Sequence, residues 1–395
     1  MKAGNATLSG YGTTIFEAMS ALAREHSAVN LGQGFPDDRG RLDLRRAAAD
    51  YVVDGFNQYP PMMGLPALRQ AVATHDRRFY GLEVDWQTEV LVTSGATEAL
   101  IDCFLGLLEP GDEVVVLEPA YDTYVPVIRR LGAVPRAVRL VPPDWTLPRD
   151  ELAAAFSPRT KLLLLNSPMN PAGKVFSRDE LGFIASLVVR HDAFAMCDEV
   201  YEHLVFGDAR HIPLMTLPGM RDRTVRIGSA GKTFSITGWK VGYITAPAAV
   251  LRPITKAHQF VTFTTPPSLQ HAVALGLGLD DGFFHGLGVP LARGRDRLVA
   301  GLAALELPVL PCDGTYFVVL DASRWMRPDE DDVAFCRRLV IDAGVVLIPM
   351  SAFYEAAPPR HLVRACFCKE DATIDAALQR LQAWVARQRS DGSAK

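Results

Sequence analysis

Short apolar runs alternate with amphipathic stretches between about residue 88 and residue 250. Six runs end in small, polar or charged residues: EVLVTSG, DEVVVLEP, KLLLLNSP, FAMCDEVY, TVRIGSAGKT and VGYITAP. The segments ATEALIDCFLGLL and SRDELGFIASLVVR place apolar residues at helical spacing. This alternation is typical of a parallel sheet with crossover helices. Ligands of such sheets bind beyond the carboxyl ends of the strands, so we expect the functional site there.

The pattern changes after about residue 290. A basic helical stretch precedes the strand candidates GTYFVVLD, VVLIPM and HLVRACFC, the helix candidate DEDDVAFCRRLVIDAG and a final amphipathic helix. These segments predict a second, smaller α+β unit. We expect a large domain over residues 47–290, a small domain formed by residues 1–46 and 291–395, and a disordered tail, SDGSAK.

Composition restricts the partners of the chain. Its 395 residues carry 41 Lys and Arg against 45 Asp and Glu, which gives no global attraction for nucleic acid or an anionic membrane. No apolar run reaches the roughly 18 residues of a membrane helix, and the N-terminus lacks the apolar core of a signal peptide. Among six scattered cysteines, the close pair Cys366 and Cys368 has neither zinc nor thioredoxin spacing. We expect a cytoplasmic protein without a metal site.

The segment GSAGKTFSITGWKVGY, residues 228–243, combines two lysines with hydroxyl side chains and glycines. Its GKT triplet resembles the end of a nucleotide-binding P-loop, but Arg226 stands where that motif requires glycine. A lone lysine is usually a solvated surface residue. A functional role for Lys232 is therefore indicated only by the polar groups that follow the neighbouring strands.

Three other strand ends supply such groups. Asp198 and Tyr201 follow the strand in MCDEVYEH, Asn170 lies in the turn of NSPMNPAG, and Gly95 precedes a helix in TSGATEAL. Each signal alone is weak, because a carboxylate there can cap a helix or bind a metal, and an Asn-Pro turn can be only a turn. The helix that follows Gly95 offers backbone N–H groups and a dipole that suit a phosphate.

Pyridoxal phosphate requires all of these groups at once. This cofactor needs an amine for its aldehyde carbon, a carboxylate for its pyridine nitrogen, donors to its phenolate oxygen and an anion site for its phosphate. We assign these roles, in that order, to Lys232; to Asp198; to Tyr201 and Asn170; and to Gly95, Ala96, Thr97, Ser229 and Lys240. Lys232, once displaced by substrate, is expected to move the proton between the substrate α carbon and the cofactor.

The motifs also resemble those of a known family over nearly the whole chain. NLGQGFPD, NQYPPMMGLPALR, PGDEVVVLEPAYDTY, GKTFSITGWKVGY and VRACFCKED together are similar to the fold type I, class I aminotransferases, in the branch of kynurenine, glutamine and methionine aminotransferases. The resemblance implies an α/β, fold type I pyridoxal-phosphate-dependent transferase. Its large domain would hold a mostly parallel sheet flanked by helices, beside a smaller α+β domain.

The resemblance implies further roles for single residues. Tyr121 would stack on the cofactor ring, and Tyr59 would reach the phosphate of the neighbouring subunit in a homodimer with shared active sites. Arg364 would bind the substrate α-carboxylate, although a surface salt bridge is the plainer interpretation of an arginine. Gly34 would let the backbone approach the same carboxylate. Phe16 and Phe263 would be walls of the side-chain pocket, with ordinary core packing as the alternative.

We predict an aminotransferase that works by ping-pong half-reactions between an L-amino acid and a 2-oxo acid. No second arginine is placed by a motif to bind a side-chain carboxylate, so the expected donor is neutral: glutamine, methionine, an aromatic amino acid or kynurenine. A cysteine-conjugate β-lyase and an aminotransferase for an unusual 2-oxo acid in specialised biosynthesis are the alternatives. A cofactor-sensing regulator on the same fold would need a DNA-binding module, and the fold motifs already begin near residue 10.

Overall fold

The computed structural model describes residues 2 and 4–390, so most of the predicted tail SDGSAK lies outside the described residues. Its helices are α1 (Ala6–Ser9), α2 (Ile15–Glu25), α3 (Leu42–Asp54), α4 (Pro66–Tyr80), α5 (Ala96–Leu107), α6 (Tyr124–Arg130), α7 (Arg149–Ala155), α8 (Arg178–Arg190), α9 (Ala230–Thr233), α10 (Ala248–Val261), α11 (Pro267–Leu277), α12 (Asp281–Gly286), α13 (Gly288–Ala303), α14 (Asp332–Ala343) and α15 (Asp371–Ser390). The predicted helices after TSG and after KVF are α5 and α8. In α8, Ser177 and Glu180 form a capping box that fixes the start of the helix.

The strands are short and lie at the predicted apolar runs. They are β1 (Val29–Asn30), β2 (Val90–Thr93), β3 (Glu113–Glu118), β4 (Val134–Arg139), β5 (Thr160–Asn166), β6 (Phe194–Asp198), β7 (Thr224–Ser229), β8 (Gly242–Thr245), β9 (Phe317–Asp321), β10 (Val345–Val346), β11 (Ile348–Pro349) and β12 (Leu362–Cys366). β4 is the strand of the central sheet that the apolar pattern does not predict. It exposes most of its residues at the sheet edge, where Pro135 is tolerated.

Seven strands form a mostly parallel central sheet in the order β2-β8-β7-β6-β5-β3-β4. β8 is the exception, because it runs antiparallel to both β2 and β7. The connection from Ser229 to Gly242 holds only the four-residue helix α9 and a short 3-10 turn. A parallel return requires a longer crossover, so the chain turns back along its neighbour. The prediction of a strand at VGYITAP is confirmed, but that strand does not share the parallel direction of the others.

The central strands are apolar because helices cover the sheet. β3 is buried along its whole length, as are β7 and β8. The helix α10 packs on α5, and α11 packs on α3 and α4. The strands β3, β5, β6 and β7 point their carboxyl ends in one direction, as their parallel pairing requires. No helix within residues 4–390 combines the length and the apolar character that crossing a membrane requires.

The C-terminal part of the chain contributes a second, smaller sheet. Strands β11, β12 and β9 pair antiparallel, and Arg364 in the middle of β12 lies opposite Val319 and Ile348. The N-terminal strand β1 pairs in parallel with β10. Helix α15 packs against α13 and α14. The proposed division into residues 47–290 and the two flanking segments stays a prediction.

Candidate active site

A cavity of about 530 Å³ opens at the carboxyl ends of the parallel strands. Its wall contains every predicted site residue except Tyr59 and Phe263. These wall residues are Phe16, Gly34, Gly95, Ala96, Thr97, Tyr121, Asn170, Asp198, Tyr201, Ser229, Lys232, Lys240 and Arg364. Because they come from five strand ends and from both sheets, the fold brings together groups that are far apart in the sequence.

Lys232 lies in α9, directly after β7 ends at Ser229. Its Nζ donates a hydrogen bond of 2.8 Å to the hydroxyl of Tyr316, which in turn donates one of 2.7 Å to the carbonyl oxygen of Gly34. Burial lowers the pKa of the Lys232 amine, because a charged ammonium is poorly solvated in the cavity wall. Burial therefore makes the neutral, nucleophilic amine of Lys232 more accessible than in water, and the contact with Tyr316 holds its nitrogen in place.

Asp198 ends β6 and is buried. Its Oδ2 accepts a hydrogen bond of 2.6 Å from the hydroxyl of Tyr124. Burial raises the pKa of Asp198, while the hydrogen bond from Tyr124 opposes that rise. The neighbouring Asn166 donates to the Asp198 carbonyl oxygen and accepts from the backbone N–H of Asn170, which ties two predicted site residues together. A carboxylate held in this way suits a protonated ring nitrogen.

Arg364 is 1% exposed, yet no carboxylate of the described residues lies within ion-pair distance of its guanidinium. Nη1 donates to Oδ1 of Asn170 at 2.9 Å, Nη2 donates to the carbonyl oxygen of Gly32 at 2.7 Å, and Nε lacks a protein partner among the same residues. Its carbon Cζ lies 4.0 Å from the ring centre of Phe317. Burial lowers the pKa of Arg364 to about 10. A buried cation that lacks an anionic partner is suited to a bound carboxylate.

The turn that precedes α5 packs closely against β8 and Lys240 at one end of the cavity. Gly95 has a φ of +82°, and a Cβ on Gly242 would lie 2.7 Å from the backbone nitrogen of Ala96. The side chain of Lys240 packs on the same turn, since a Cβ on Gly95 would meet its Nζ at 3.5 Å. The first N–H groups of a twelve-residue helix, a hydroxyl from Ser229 and a lysine thus meet at one end of the cavity. This combination suits a phosphate.

Two predicted residues lie outside the cavity of the chain. Tyr59 is 81% exposed, and its ring contacts Phe263 at 5.7 Å between centroids. Phe263 follows the end of α10 with a φ of +69°, which turns its ring toward Tyr59 at the surface. Phe263 therefore does not line the cavity of its own chain, and its place in the wall of a side-chain pocket stays a prediction. Phe16 does line the cavity and contacts Phe353 at 5.8 Å.

Four residues that contact predicted site residues were not predicted from the sequence: Tyr124, Tyr316, Asn166 and Phe317. The two tyrosines lie within PAYDTY and GTYFVVLD, but nothing in these motifs alone assigns a role to their hydroxyl groups. A tyrosine in an otherwise apolar segment could have indicated them, because a buried hydroxyl group needs a hydrogen-bond partner.

Comparisons with known proteins find matches that extend over almost the whole chain. The family model described as aminotransferase class I and II matches residues 26–381. The chain is 41% identical to the methionine aminotransferase of Escherichia coli, over 94% of this chain and 96% of that protein. It superposes with a TM-score of 0.94 on the solved N-succinyldiaminopimelate aminotransferase of Mycobacterium tuberculosis, at 45% identity, over 97% of this chain and all of that one. Kynurenine–oxoglutarate transaminase 3 of Mus musculus is 38% identical over 95% of this chain and 89% of its own length.

Proposed function

This chain belongs to the class I and II aminotransferase family, and from that premise we propose that its cavity binds pyridoxal phosphate through Lys232. The proposal rests on one observation, which is that three buried or half-buried groups of different chemistry line the same cavity. An amine of lowered pKa, a carboxylate held by a tyrosine and a guanidinium without an anionic partner all face it. Together they match an aldehyde, a ring nitrogen and a substrate carboxylate.

The residues fit the cofactor at each of its polar groups. The turn Gly95–Thr97, with Ser229 and Lys240, offers donors and positive charge to a phosphate. Asp198 is a carboxylate that can hold the proton of a ring nitrogen, and Tyr201 can donate its hydroxyl to a phenolate oxygen. Tyr121 lines the same cavity and supplies an aromatic face. When bound, the cofactor supplies an electron sink for the bonds of the substrate α carbon.

The side chains of the protein then orient the substrate and move its proton. Arg364 binds the α-carboxylate with the guanidinium hydrogens that Asn170 and Gly32 leave unused, and these two contacts fix the orientation of the guanidinium. Lys232 Nζ would be the base that takes the proton from the substrate α carbon and delivers it to the cofactor. The Tyr316 hydroxyl is committed as a donor to Gly34, so it presents an oxygen lone pair to Nζ and keeps that nitrogen in place between proton transfers.

The pocket for the substrate side chain is aromatic and lacks a second guanidinium. Arg364 is the one arginine among the described residues that line the cavity. Phe16 and Phe353 contact each other and lie within about 5 Å of the Arg364 guanidinium carbon. We therefore assign a neutral L-amino acid as donor: glutamine, methionine, an aromatic amino acid or kynurenine. The second candidate is the long substrate named by the M. tuberculosis relative, N-succinyldiaminopimelate, because that relative is 45% identical.

A homodimer with shared active sites explains the surface around Tyr59. Val53, Phe56, Tyr59 and Phe260 are between 73% and 81% exposed, which is unusual for side chains of this size. A second copy that covers this surface would bring Tyr59 toward the phosphate end of the neighbouring cavity. Sedimentation velocity of the purified chain would give a dimer, and a monomer at micromolar concentration would contradict this assignment. The six free cysteines support placing the dimer in the cytoplasm.

Absorbance spectra before and after the addition of single amino acids test the function. The wild type should show the band of a lysine-bound cofactor, lose it with a preferred donor and recover it with a 2-oxo acid. Lys232→Ala should show no such cycle, whereas Lys256→Ala, a change at an exposed lysine outside the cavity, should behave as the wild type. Equal behaviour of the two variants would contradict the assignment of Lys232.

The substrate panel separates the remaining candidates. Methionine, glutamine, phenylalanine, kynurenine and N-succinyldiaminopimelate compete as donors, and the largest kcat/KM identifies the class. Aspartate serves as the negative control, because its side-chain carboxylate would find no second arginine in the cavity. Release of pyruvate and ammonia from a cysteine conjugate, without transfer of nitrogen to a 2-oxo acid, would instead identify a β-lyase.

A further inference from the structure

A buried charged cluster lies behind the phosphate turn and outside the cavity. It consists of His258 on α10 with Glu98 and Asp102 on α5, and we call it the His258 cluster. His258 Nδ1 lies 3.0 Å from Oε1 of Glu98 and 3.4 Å from Oδ2 of Asp102, and Nε2 lies 3.1 Å from the carbonyl oxygen of Met62. The histidine and Asp102 are wholly buried. None of these residues lines the cavity, so the proposed chemistry does not use them.

The contacts of His258 favour a doubly protonated ring. One ring nitrogen faces carboxylate oxygens and the other a backbone carbonyl oxygen, and a ring with a hydrogen on each nitrogen donates to both at once. Of the two facing carboxyl groups, burial raises the pKa of Asp102, whereas for Glu98 the opposing effect of burial is outweighed and the contact with His258 helps to lower the pKa. Burial alone would lower the pKa of His258, but the contacts with Asp102 and Glu98 outweigh it and raise that pKa to about 9. β2, which also packs on α10, contributes no charged side chain, and the nearby Cys103 thiol is neutral because burial raises its pKa.

The cluster contacts three segments: the turn of the proposed phosphate site, the segment that follows Tyr59, and the C-terminal end of α10. Glu98 accepts a hydrogen bond from the backbone N–H of Ser94, in the turn that begins α5. Nε2 of His258 holds Met62, three residues after Tyr59. The carbonyl oxygen of His258 accepts the N–H groups of Thr262 and Phe263, and these bonds end α10 just before the aromatic ring that contacts Tyr59.

We propose that the imidazolium of His258 is a positioning residue that holds Tyr59 and Phe263 in fixed relation to the phosphate turn of α5. This inference rests on the proposed function, since Tyr59 contacts a phosphate only across a homodimer that binds the cofactor. Loss of the charge leaves Glu98 and Asp102 buried without a cation, and the single remaining ring hydrogen can then serve either the carboxylates or the Met62 carbonyl but not both. The Tyr59 segment then loses its attachment to α5, and cofactor binding weakens.

The cofactor dissociation constant as a function of pH tests the proposal. For the wild-type holoenzyme it should be constant near neutral pH and increase as the pH passes about 9, because only the charged form of His258 donates to the carboxylates and to Met62 at once. His258→Gln should bind pyridoxal phosphate about tenfold to a hundredfold more weakly at neutral pH, and its affinity should lack this step. The matched control is His75→Gln, which changes another fully buried histidine outside the cluster. It should retain the wild-type constant and step.

A second variant keeps the proposal testable if His258→Gln does not fold. Glu98→Gln preserves shape and an acceptor oxygen but removes one of the two contacts that raise the histidine pKa, so the step should move to lower pH. A wild-type constant and an unmoved step in both folded variants would overturn the role of His258. A wild type that binds no cofactor through Lys232 would instead overturn the proposed function, so the two failures are distinguishable.

Mixed dimers show whether the effect crosses the subunit boundary. In a dimer of one wild-type chain and one chain that carries both Lys232→Ala and His258→Gln, the remaining lysine site has its own intact cluster. That site receives Tyr59 from the altered chain. We expect its cofactor affinity to fall about as far as in the His258→Gln homodimer. Wild-type affinity in this mixed dimer would contradict positioning of Tyr59 by His258.

Discussion

Replacing Tyr124 by phenylalanine removes a single hydrogen bond from the centre of the site. The Tyr124 hydroxyl donates to Oδ2 of Asp198 at 2.6 Å, and both side chains are buried. The ring remains, so the edge contact with Tyr121 at 5.6 Å is retained. Because burial already raises the pKa of Asp198 and Tyr124 opposes that rise, the substitution should raise this pKa further.

The size of the effect follows from the charge of the acceptor. A hydrogen bond to an ionised group contributes about 1.5–3 kcal/mol, and about 1.4 kcal/mol corresponds to one pKa unit. Loss of the bond disfavours the carboxylate, so the pKa of Asp198 should increase by about one to two units. The acidic limb of the pH profile of kcat/KM should move to higher pH by the same amount, since Asp198 must be ionised to hold the ring proton.

The assay is kcat/KM for the best donor measured across the acidic limb. Tyr354→Phe is the matched control, because the Tyr354 hydroxyl is buried and lacks a hydrogen-bond partner among the described residues. Its acidic limb should coincide with that of the wild type. An unmoved limb in Tyr124→Phe would refute the reasoning that the tyrosine keeps Asp198 ionised. A shift in both variants would attribute the effect to general loss of packing.

Three further substitutions probe other parts of the structure. Arg364→Lys should raise KM for the amino acid by about tenfold to a hundredfold in steady-state kinetics, because lysine lacks the planar pair of donors. An unchanged KM would exclude Arg364 as the residue that binds the α-carboxylate. Tyr316→Phe should slow the first half-reaction about tenfold in stopped-flow absorbance, because Lys232 Nζ loses its 2.8 Å hydrogen bond to the tyrosine hydroxyl. A wild-type rate would show that the reaction does not depend on this hydrogen bond. Arg226→Met should lower the free energy of unfolding by about 3–5 kcal/mol in urea titrations, because it removes the one arginine that pairs with three buried carboxylates. Unchanged stability would show that this buried ion-pair network contributes no net free energy to folding.

Hydrophobic patterning predicts the central strands because most of them are buried on both faces. Continuous apolar runs such as VVVL in β3 and LLLL in β5 are typical of strands that helices cover on both sides. Patterning does not predict the direction of β8, which depends on how the chain connects it to β7. It also misses β4, where an exposed edge allows polar residues and Pro135. The direction of β8 depends on its connecting segment and the exposure of β4 on its place at the sheet edge, so neither can be predicted from the residues of the strand alone.

The same distinction applies to the site. Lys232, Asp198 and Asn170 follow strand ends, and the sheet topology alone brings strand ends together. The hydroxyl groups of Tyr124 and Tyr316 have partners that are 74 and 84 residues away along the chain. Their roles depend on which way a side chain points inside a packed core, and a pattern of residue types contains no such orientation. Motifs therefore predict which groups meet at the cavity, whereas the hydrogen bonds between them depend on the three-dimensional packing.

Tyr59 presents the opposite case, since a single chain cannot explain its position. Tyr59 is 81% exposed and lies near the exposed Phe260 and the half-exposed Phe263, so apolar surface faces water here. Covering that surface with a partner would contribute a favourable free energy of about 25 cal/mol for each Å² of apolar area. The chain nevertheless fixes this segment with a fully buried histidine, and a buried charge costs free energy unless it is paired. Rigidity at an uncovered surface is of no use to a monomer, whereas it reduces the entropy lost when a second copy binds. The exposed tyrosine and the buried histidine behind it are therefore both consistent with the homodimer proposed above, in which a second copy covers this surface.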